Sequence, residues 1–324
     1  MSAADRNPAI DLLRVLSIVY IVGYWHLIPY TSWLPGYANH LTEAIKDVAL
    51  GSFVFSSGLL LARRDVRLEL GEFLGFYQRR LVRIYPLYLF ALLVFGLAGL
   101  ASAPVLLKAA LLVSMFAPPA PPTLWFIAMI MFFYLLAPLL IWAARRPVRF
   151  LSLCAGILFC CLAYHHLVRP MDSRLFLFLP SFAAGIYLQR NVPLHEYLHR
   201  QRLYLLVALL PAYWIGLPAD NGFDLVVSLL RAPMTLLGAV LCVVYAERLF
   251  GHRHSPVILK LSYASFGVYL FHRPVFELVS GSYFPADGLA QAVYLVLVAV
   301  PLSFILAYGV QKGYDAVMAR LTQG

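Results

Sequence analysis

The residues of this chain best suited to chemistry are ionisable groups set inside long apolar runs. In IDLLRVLSIVYIVGYWHLIPY (Ile10–Tyr30), Asp11 and Arg14 stand near the start and His26 near the far end. The run is long and apolar enough to cross a bilayer. Charged or titratable side chains are costly there and mark candidate functional sites. A neutral imidazole suits His26 to taking a proton from a hydroxyl near neutral pH. The competing interpretation places Asp11 and Arg14 in one headgroup region and His26 beside Trp25 in the other. A second set is the arginine group Arg79, Arg80 and Arg83, preceded by Arg63, Arg64 and Arg67. Guanidinium groups can grip phosphates two bonds at a time, although Arg clusters at span ends also serve only to orient a membrane protein. A third set lies in LSYASFGVYLFHRPVFEL, where His272, Arg273 and Glu277 follow Ser262, Tyr263 and Tyr269.

The elements that must position these groups are membrane helices. Of 324 residues, 62% are hydrophobic and 12% charged, with a mean hydropathy of +0.80. Soluble domains carry about 25% charged residues. The apolar runs are continuous rather than short alternating segments, which favours a helix bundle over a barrel. The net charge of +10 does not point to nucleic acid, because the basic residues are scattered between apolar runs. Cys154, Cys160, Cys161 and Cys242 all fall inside those runs and read as small core residues, not disulfides or metal ligands. No cleavable signal peptide is expected, since Pro29 and Tyr30 follow the first run where small residues would be needed.

Spans are expected at 9–30, 41–62, 84–101, 123–143, 149–167, 174–190, 203–218, 225–247, 257–279 and 286–311, about ten in all. The segment 104–117 is apolar but short, and APPAPPT follows it. Counting it as a full crossing would place Arg145, Arg146 and Arg149 outside and invert every later basic loop. A partial or re-entrant helix near 104–120 removes that conflict. Both termini are then cytoplasmic, the segment from Arg63 to Arg83 is a cytoplasmic polar stretch, and most of the 25 Lys and Arg lie inside. His165 and His166, with Asp220 and Asp224, fall in outer loops, and His252 and His254 in an inner one. No repeat or appended soluble domain is apparent, so residues 1–324 read as one transmembrane domain.

Five stretches in order carry a resemblance: DLLRVLSIVYIVGYWH, FVFSSGLLL, RRLVRIYPLYLF, LWFIAMIMFFYLLAPLL and LSYASFGVYLFHRPVFEL. Together the set resembles the acyltransferase 3 family of integral membrane O-acyltransferases, from about residue 10 to 279. The resemblance implies transfer of an acyl group, acetyl expected, from cytoplasmic acyl-CoA to a hydroxyl of a carbohydrate or lipid-linked glycan. It implies a location in the bacterial inner membrane, with glycan and lipids as partners. It assigns His26 and Arg14 to catalysis, and Arg14, Arg79, Arg80 and Arg83 to the CoA phosphates. Trp125, Tyr134, His272 and Glu277 fall to the acceptor, with a place in the interfacial aromatic belt as the competing role for Trp125 and packing for Tyr134 and His272. Glu277 could instead pair with Arg273 at helical spacing. Asp47 or Glu43, beside Lys46, could orient the His26 ring. Direct transfer is expected, with Ser56, Ser57 and Ser262 as the residues that would carry an acyl-enzyme. No metal is expected, since no Cys or carboxylate accompanies the histidines at ligand spacing. Oligomeric state is not readable.

One spacing departs from the family pattern. Ten residues usually separate its Arg and His, whereas His26 lies one position further from Arg14 and Trp25 takes the usual place. An offset of 12 residues turns an ideal helix about 120° away, against about 20° for 11. A π-bulge around Gly23 is expected to absorb the extra residue. Either way the two side chains are about 18 Å apart along the axis, at two ends of one tunnel. A ten-helix exporter of saccharides or lipid-linked intermediates is the main alternative; no two halves of the chain look alike, which weighs against it. A non-catalytic scaffold leaves Arg14 and His26 without a purpose.

Overall fold

The computed structural model describes residues 7–31, 33, 36, 38–67, 69–217, 224–251 and 255–321. The expected Asp220, His252 and His254 lie outside these residues. Every regular element described is helical: α1 (Pro8–Gly23), α2 (His40–Leu61), α3 (Leu70–Leu97), α4 (Ala103–Ala110), α5 (Trp125–Ala143), α6 (Pro147–Leu167), α7 (Arg174–Arg190), α8 (Val192–Arg200), α9 (Arg202–Ile215), α10 (Leu225–Phe250), α11 (Pro256–Ser282), α12 (Gly288–Tyr294) and α13 (Val300–Leu321). A 3₁₀ turn covers Trp25–Leu27, and a π-helical stretch, Leu295–Ala299, joins α12 to α13.

The sequence writes several helix starts itself. Asn7, Asn191, Ser255 and Asp287 each accept a hydrogen bond from a backbone N–H of the first turn. Proline stands at the first or second helical position of α1, α8 and α11. Both devices satisfy or remove donors that have no partner inside the helix. Pro86, Pro138, Pro180, Pro211, Pro233 and Pro274 sit inside helices, which membrane helices tolerate because neighbours re-satisfy the freed carbonyls.

Among the described residues, seven helices are long and apolar enough to cross a membrane. They are α1 with its 3₁₀ turn, α2, α3, α5, α6, α10 and the run from α12 through α13. The apolar α9 is shorter. At 27 residues α11 is long, but it carries Lys260, Arg273 and Glu277. The eight residues of α4 rise about 12 Å, well short of the roughly 30 Å hydrocarbon layer.

One boundary differs markedly from expectation. The third long helix begins at Leu70, not near residue 84, so Arg79, Arg80 and Arg83 stand on a helix rather than in a polar loop. The reason is that EFLGFYQRRLVRIY holds no glycine pair or proline before Pro86, and straight-chain Gln, Arg and Leu are good helix formers. The cysteines also divide: Cys161 is buried, Cys154 and Cys242 are half-buried, and Cys160 faces outward.

The described chain forms two compact units. The first comprises residues 1–49, 87–100 and 246–324, and the second 50–86 and 101–245. In the first, α11 packs between α1 and α13. A Cβ placed at Gly267 would stand 3.1 Å from the backbone oxygen of Ala307, so α11 and α13 approach closely there. In the second, α5 packs on α6 and α7, and α2 crosses α7 on two glycines. A Cβ at Gly58 would collide with the carbonyl oxygen of Phe182, and one at Gly185 with that of Phe55. Small residues at crossings let membrane helices bring their backbones together, where dispersion contacts replace the missing hydrophobic drive. The glycine of FVFSSGLLL is therefore a crossing point. Phe133, Phe176, Phe178 and Phe182 are all fully buried or nearly so, and Phe133 stacks on Phe182 at 5.3 Å.

Candidate active site

The site is built from the end of α1. Its last helical residue is Gly23; Tyr24 then leaves the helical region at φ −130° and ψ −68°. The chain tightens into a 3₁₀ turn, with Leu27 N–H on Tyr24 O at 3.1 Å and Ile28 N–H on Trp25 O at 3.4 Å. The residue four beyond Trp25 is Pro29, which has no N–H to offer. Shortening the hydrogen bond by one residue gives the Trp25 carbonyl a donor that a regular α-helix could not. The expected π-bulge at Gly23 is thus replaced by a helix break and a 3₁₀ turn, and the π-helical stretch of the protein lies instead at Leu295–Ala299. The helix is not regular from Arg14 to His26, so the 120° offset of an ideal helix does not apply.

His26 meets His272 of α11. Its Nδ1 lies 2.8 Å from His272 Nε2. The rings are parallel within 1° and their centroids are 4.8 Å apart. Since the two nitrogens are much closer than the ring centres, they lie between those centres, and the contact runs edge to edge. His272 is fully buried. Its Nδ1 is 3.0 Å from the carbonyl oxygen of Val268 and 3.1 Å from that of Tyr269. Both ring nitrogens of His272 are therefore engaged within the protein. Phe276 closes over the ring edge-on at 5.7 Å.

The same two helices meet again at their other ends. Ser262 donates its hydroxyl to Asp11 Oδ1 at 2.6 Å. Asp11 with Ser262 and His26 with His272 together require α1 and α11 to run in the same direction. Asp11 is thereby a helix-pairing residue. Arg14, half-buried, lies on α1 between these two contacts.

The start of α2 braces the tip of α1. Tyr20 donates to Thr42 O at 2.7 Å and stacks on Tyr24 at 5.1 Å. Lys46, 4% exposed, lies 3.2 Å from both Glu43 Oε1 and Asp47 Oδ1, and its ammonium stands 4.8 Å from the Trp25 ring centre. Trp25, in the slot usually held by the histidine, thus receives a cation–π contact. Asp47 or Glu43 could have oriented His26; both lie on Lys46 instead, and the ring nitrogen of His26 goes to His272.

Around the histidine pair stands a polar rim from the same unit. Tyr30 donates to Glu277 Oε1 at 2.9 Å and meets Phe276 edge-on at 5.4 Å. Arg273 is half-buried beside them, within reach of the Tyr30 hydroxyl. Glu277 is thus tied to Tyr30, a residue whose type alone gave no signal. Its position three residues after the 3₁₀ turn is what brings it to α11.

The second unit holds the remaining expected residues. Arg80 lies 4.7 Å over the Phe76 ring, one helical turn away. Arg64, Arg79 and Arg83 are close enough to act on its charge, and so is the Tyr134 hydroxyl. Four guanidiniums in one field repel each other, an arrangement that an anion would relieve. Trp125 meets two side chains of α7: Phe178 stacks at 6.2 Å, and the Arg174 guanidinium stands 3.9 Å from its ring centre. Arg174 is itself held by Asp172, its Nε at 2.7 Å from Oδ1. Tyr134 leans on Phe182 at 6.2 Å. Ser57 donates to Phe53 O at 2.9 Å, and Ser56 is buried at 1% exposure. His165 accepts from the Met171 N–H at 3.1 Å, so it organises a loop. Arg231 was not anticipated: it is 2% exposed on α10 and reaches the Gly216 carbonyl at 3.4 Å.

Neither curated proteins nor solved structures offered a match to the chain. A family model, described as an acyltransferase domain, matches residues 7–308, which takes in all of the second unit, most of the first and every candidate residue above. With its apolar spanning helices, the chain is a membrane protein belonging to the acyltransferase 3 family.

Proposed function

We propose that the protein moves an acyl group, acetyl as the smallest case, from acyl-CoA on the cytoplasmic side to a hydroxyl of a carbohydrate or lipid-linked glycan. His26 is the general base on this reading. Acyl transfer needs a base because a neutral hydroxyl is a weak nucleophile until its proton leaves. The observation that carries the reading is the placement of His26: a half-buried imidazole at a helix break, gripped by a second, fully buried imidazole from a parallel helix.

The donor is an anion with several phosphates. Arg14, Arg79, Arg80 and Arg83 are the cations assigned to it on the strength of the sequence. The mutual repulsion around Arg80 supports that assignment. Trp125, Tyr134 and Glu277 are assigned to the acceptor. His272 takes part through His26. Transfer is direct, and no metal takes part. About ten crossings with a re-entrant α4, cytoplasmic termini and a bacterial inner membrane complete the proposal. The parallel course of α1 and α11 supports it, because spans 9–30 and 257–279 run the same way on that map.

The test uses purified protein in nanodiscs with labelled acetyl-CoA and candidate glycans. Label transferred to glycan by the wild type, and lost in His26→Ala, is expected. Acetyl-CoA that neither binds nor transfers would overturn the reading, and unmodified glycan crossing the bilayer would identify an exporter instead.

A further inference from the structure

The contacts of His272 settle more than a pairing. Carbonyl oxygens only accept hydrogen bonds. The two that face His272 Nδ1, from Val268 and Tyr269, therefore require a proton on that nitrogen. A second proton on Nε2 would make the ring a cation. His272 is fully buried and adjoins Arg273 in sequence. Burial strips a cation of water, and a neighbouring guanidinium repels it. His272 is accordingly neutral, with a lone pair on Nε2. The nitrogen facing that lone pair, His26 Nδ1 at 2.8 Å, must supply the hydrogen. In a neutral His26 the remaining nitrogen, Nε2, then carries the free lone pair.

We infer that His272 is a positioning residue that locks His26 in its Nδ1–H tautomer, so that Nε2 of His26 is the atom that accepts the acceptor's proton. The inference rests on the acyl-transfer reading for its chemistry and on geometry alone for the tautomer. The lock runs in one direction: Val268 and Tyr269 carbonyls fix Nδ1–H of His272, its Nε2 accepts from His26, and His26 is left with one basic atom. Solution histidine favours no such arrangement on its own, since either nitrogen can hold the proton.

The step balances as follows. The acceptor O–H bond breaks and its proton goes to His26 Nε2. The oxygen's electron pair forms a bond to the thioester carbonyl carbon, and the carbon–sulfur bond breaks with its pair leaving on sulfur. The thiolate then takes the proton from Nε2, which restores neutral His26 and yields an ester and free CoA thiol. Throughout, His26 keeps its Nδ1 proton, and His272 accepts that hydrogen bond without becoming charged. The bond strengthens while His26 is an imidazolium, because hydrogen bonds from a charged donor are the stronger ones. His272 thus favours the charged state of the base that exists only during reaction.

The experiment is nitrogen NMR of histidine-labelled protein in nanodiscs, with His26 assigned by difference against His26→Gln. Protonated Nδ1 and unprotonated Nε2 on His26 are expected in the wild type. In His272→Phe the tautomer should shift, and kcat should fall about 100-fold with KM for acetyl-CoA unchanged. His272→Gln offers an amide oxygen in place of Nε2 and should recover at least about tenfold of that loss. His199→Ala, a histidine outside the site, should leave kcat as it is. A wild-type His26 carrying its proton on Nε2, or a tautomer indifferent to His272→Phe, overturns the inference. If His272→Phe fails to fold, the wild-type spectrum and the comparison of His272→Gln with wild type still decide it. The spectrum reads the tautomer whether or not acyl transfer occurs, so failure of the functional reading leaves a separate mark: no ester product from the wild type.

Discussion

Two helix pairs in this protein meet in opposite ways. In the first unit, α1 and α11 meet through polar side chains, Asp11 with Ser262 at one end and His26 with His272 at the other. In the second, α2 and α7 meet through bare backbone at Gly58 and Gly185, with buried Phe55 and Phe182 alongside. The difference separates two jobs. A glycine crossing gains dispersion contact over a dry surface and tolerates no change of shape. A polar meeting contributes little net stability, because each hydrogen bond replaces another with water or a neighbour. What it contributes is direction: it decides where a proton sits. The rigid crossing belongs to scaffold, and the polar meeting belongs to chemistry.

That contrast can be broken by substitution. The largest effect is expected at the base. His26→Ala should lower transfer by about 10²–10⁴-fold, while the thermal midpoint stays within a few degrees of wild type; a large fall in both would make His26 structural. Next comes the crossing. Gly185→Ala forces a methyl onto the Phe55 carbonyl and should destabilise by about 1–3 kcal/mol, seen as a lower thermal midpoint and poorer yield. The protein that does fold should keep its KM for acetyl-CoA. An unchanged midpoint would mean that α2 and α7 do not touch there.

A smaller effect is expected at the far end of the polar pair. Ser262→Ala removes the hydroxyl that Asp11 accepts and should cost about 1 kcal/mol in unfolding, with kcat changed less than by His272→Phe. A kcat loss equal to that of His272→Phe would show the whole α1–α11 seam to be catalytic rather than its one end. The smallest effect is a pH dependence away from both pairs. The Arg145 hydrogen bond at 2.7 Å, with Arg190 at 3.0 Å, holds the Asp65 carboxyl below its ordinary range. A carboxylate lowered in the folded state stabilises fully above its unfolded value near about pH 4 and loses that contribution as pH falls further. Asp65 is 54% exposed, so screening keeps the contribution small. The thermal midpoint of Asp65→Asn should approach that of wild type as the pH is lowered through this range. A gap that persists unchanged at low pH would remove the ion pairs from the account.

How far the sequence carries can be judged at single residues. Asp11, Arg14 and His26 stand out because an ionisable group in an apolar run is expensive wherever the helix lies. His272 stands out for the same reason, yet its partner does not: His26 and His272 are 246 positions apart, and no period or cap links them. Trp125 and Tyr134 read as aromatic residues of a span. Their contacts with Arg174, Phe178 and Phe182 follow from helix packing that hydropathy does not encode. Gly58 is visible only as a small residue, because the collision it avoids belongs to Phe182 of another helix. Tyr30 gives no signal in its own neighbourhood; Arg231 does, as an ionisable group inside the apolar run 225–247.

By itself, then, the sequence determined that the chain enters a membrane as helices. Burial of about twenty consecutive apolar residues, and satisfaction of every backbone group inside the segment, are local matters. It also determined where several of those helices start, through caps and prolines that act on the adjacent turn. The 3₁₀ turn after α1 answers to nearby Pro29, and Lys46 pairs with Glu43 and Asp47 of its own helix, but tertiary structure alone decided that His272 meets His26 and that Ser262 meets Asp11. These depend on distances between side chains far apart in the chain, and the position of a proton on one ring nitrogen depends on which atom, 2.8 Å away, has a lone pair to receive it.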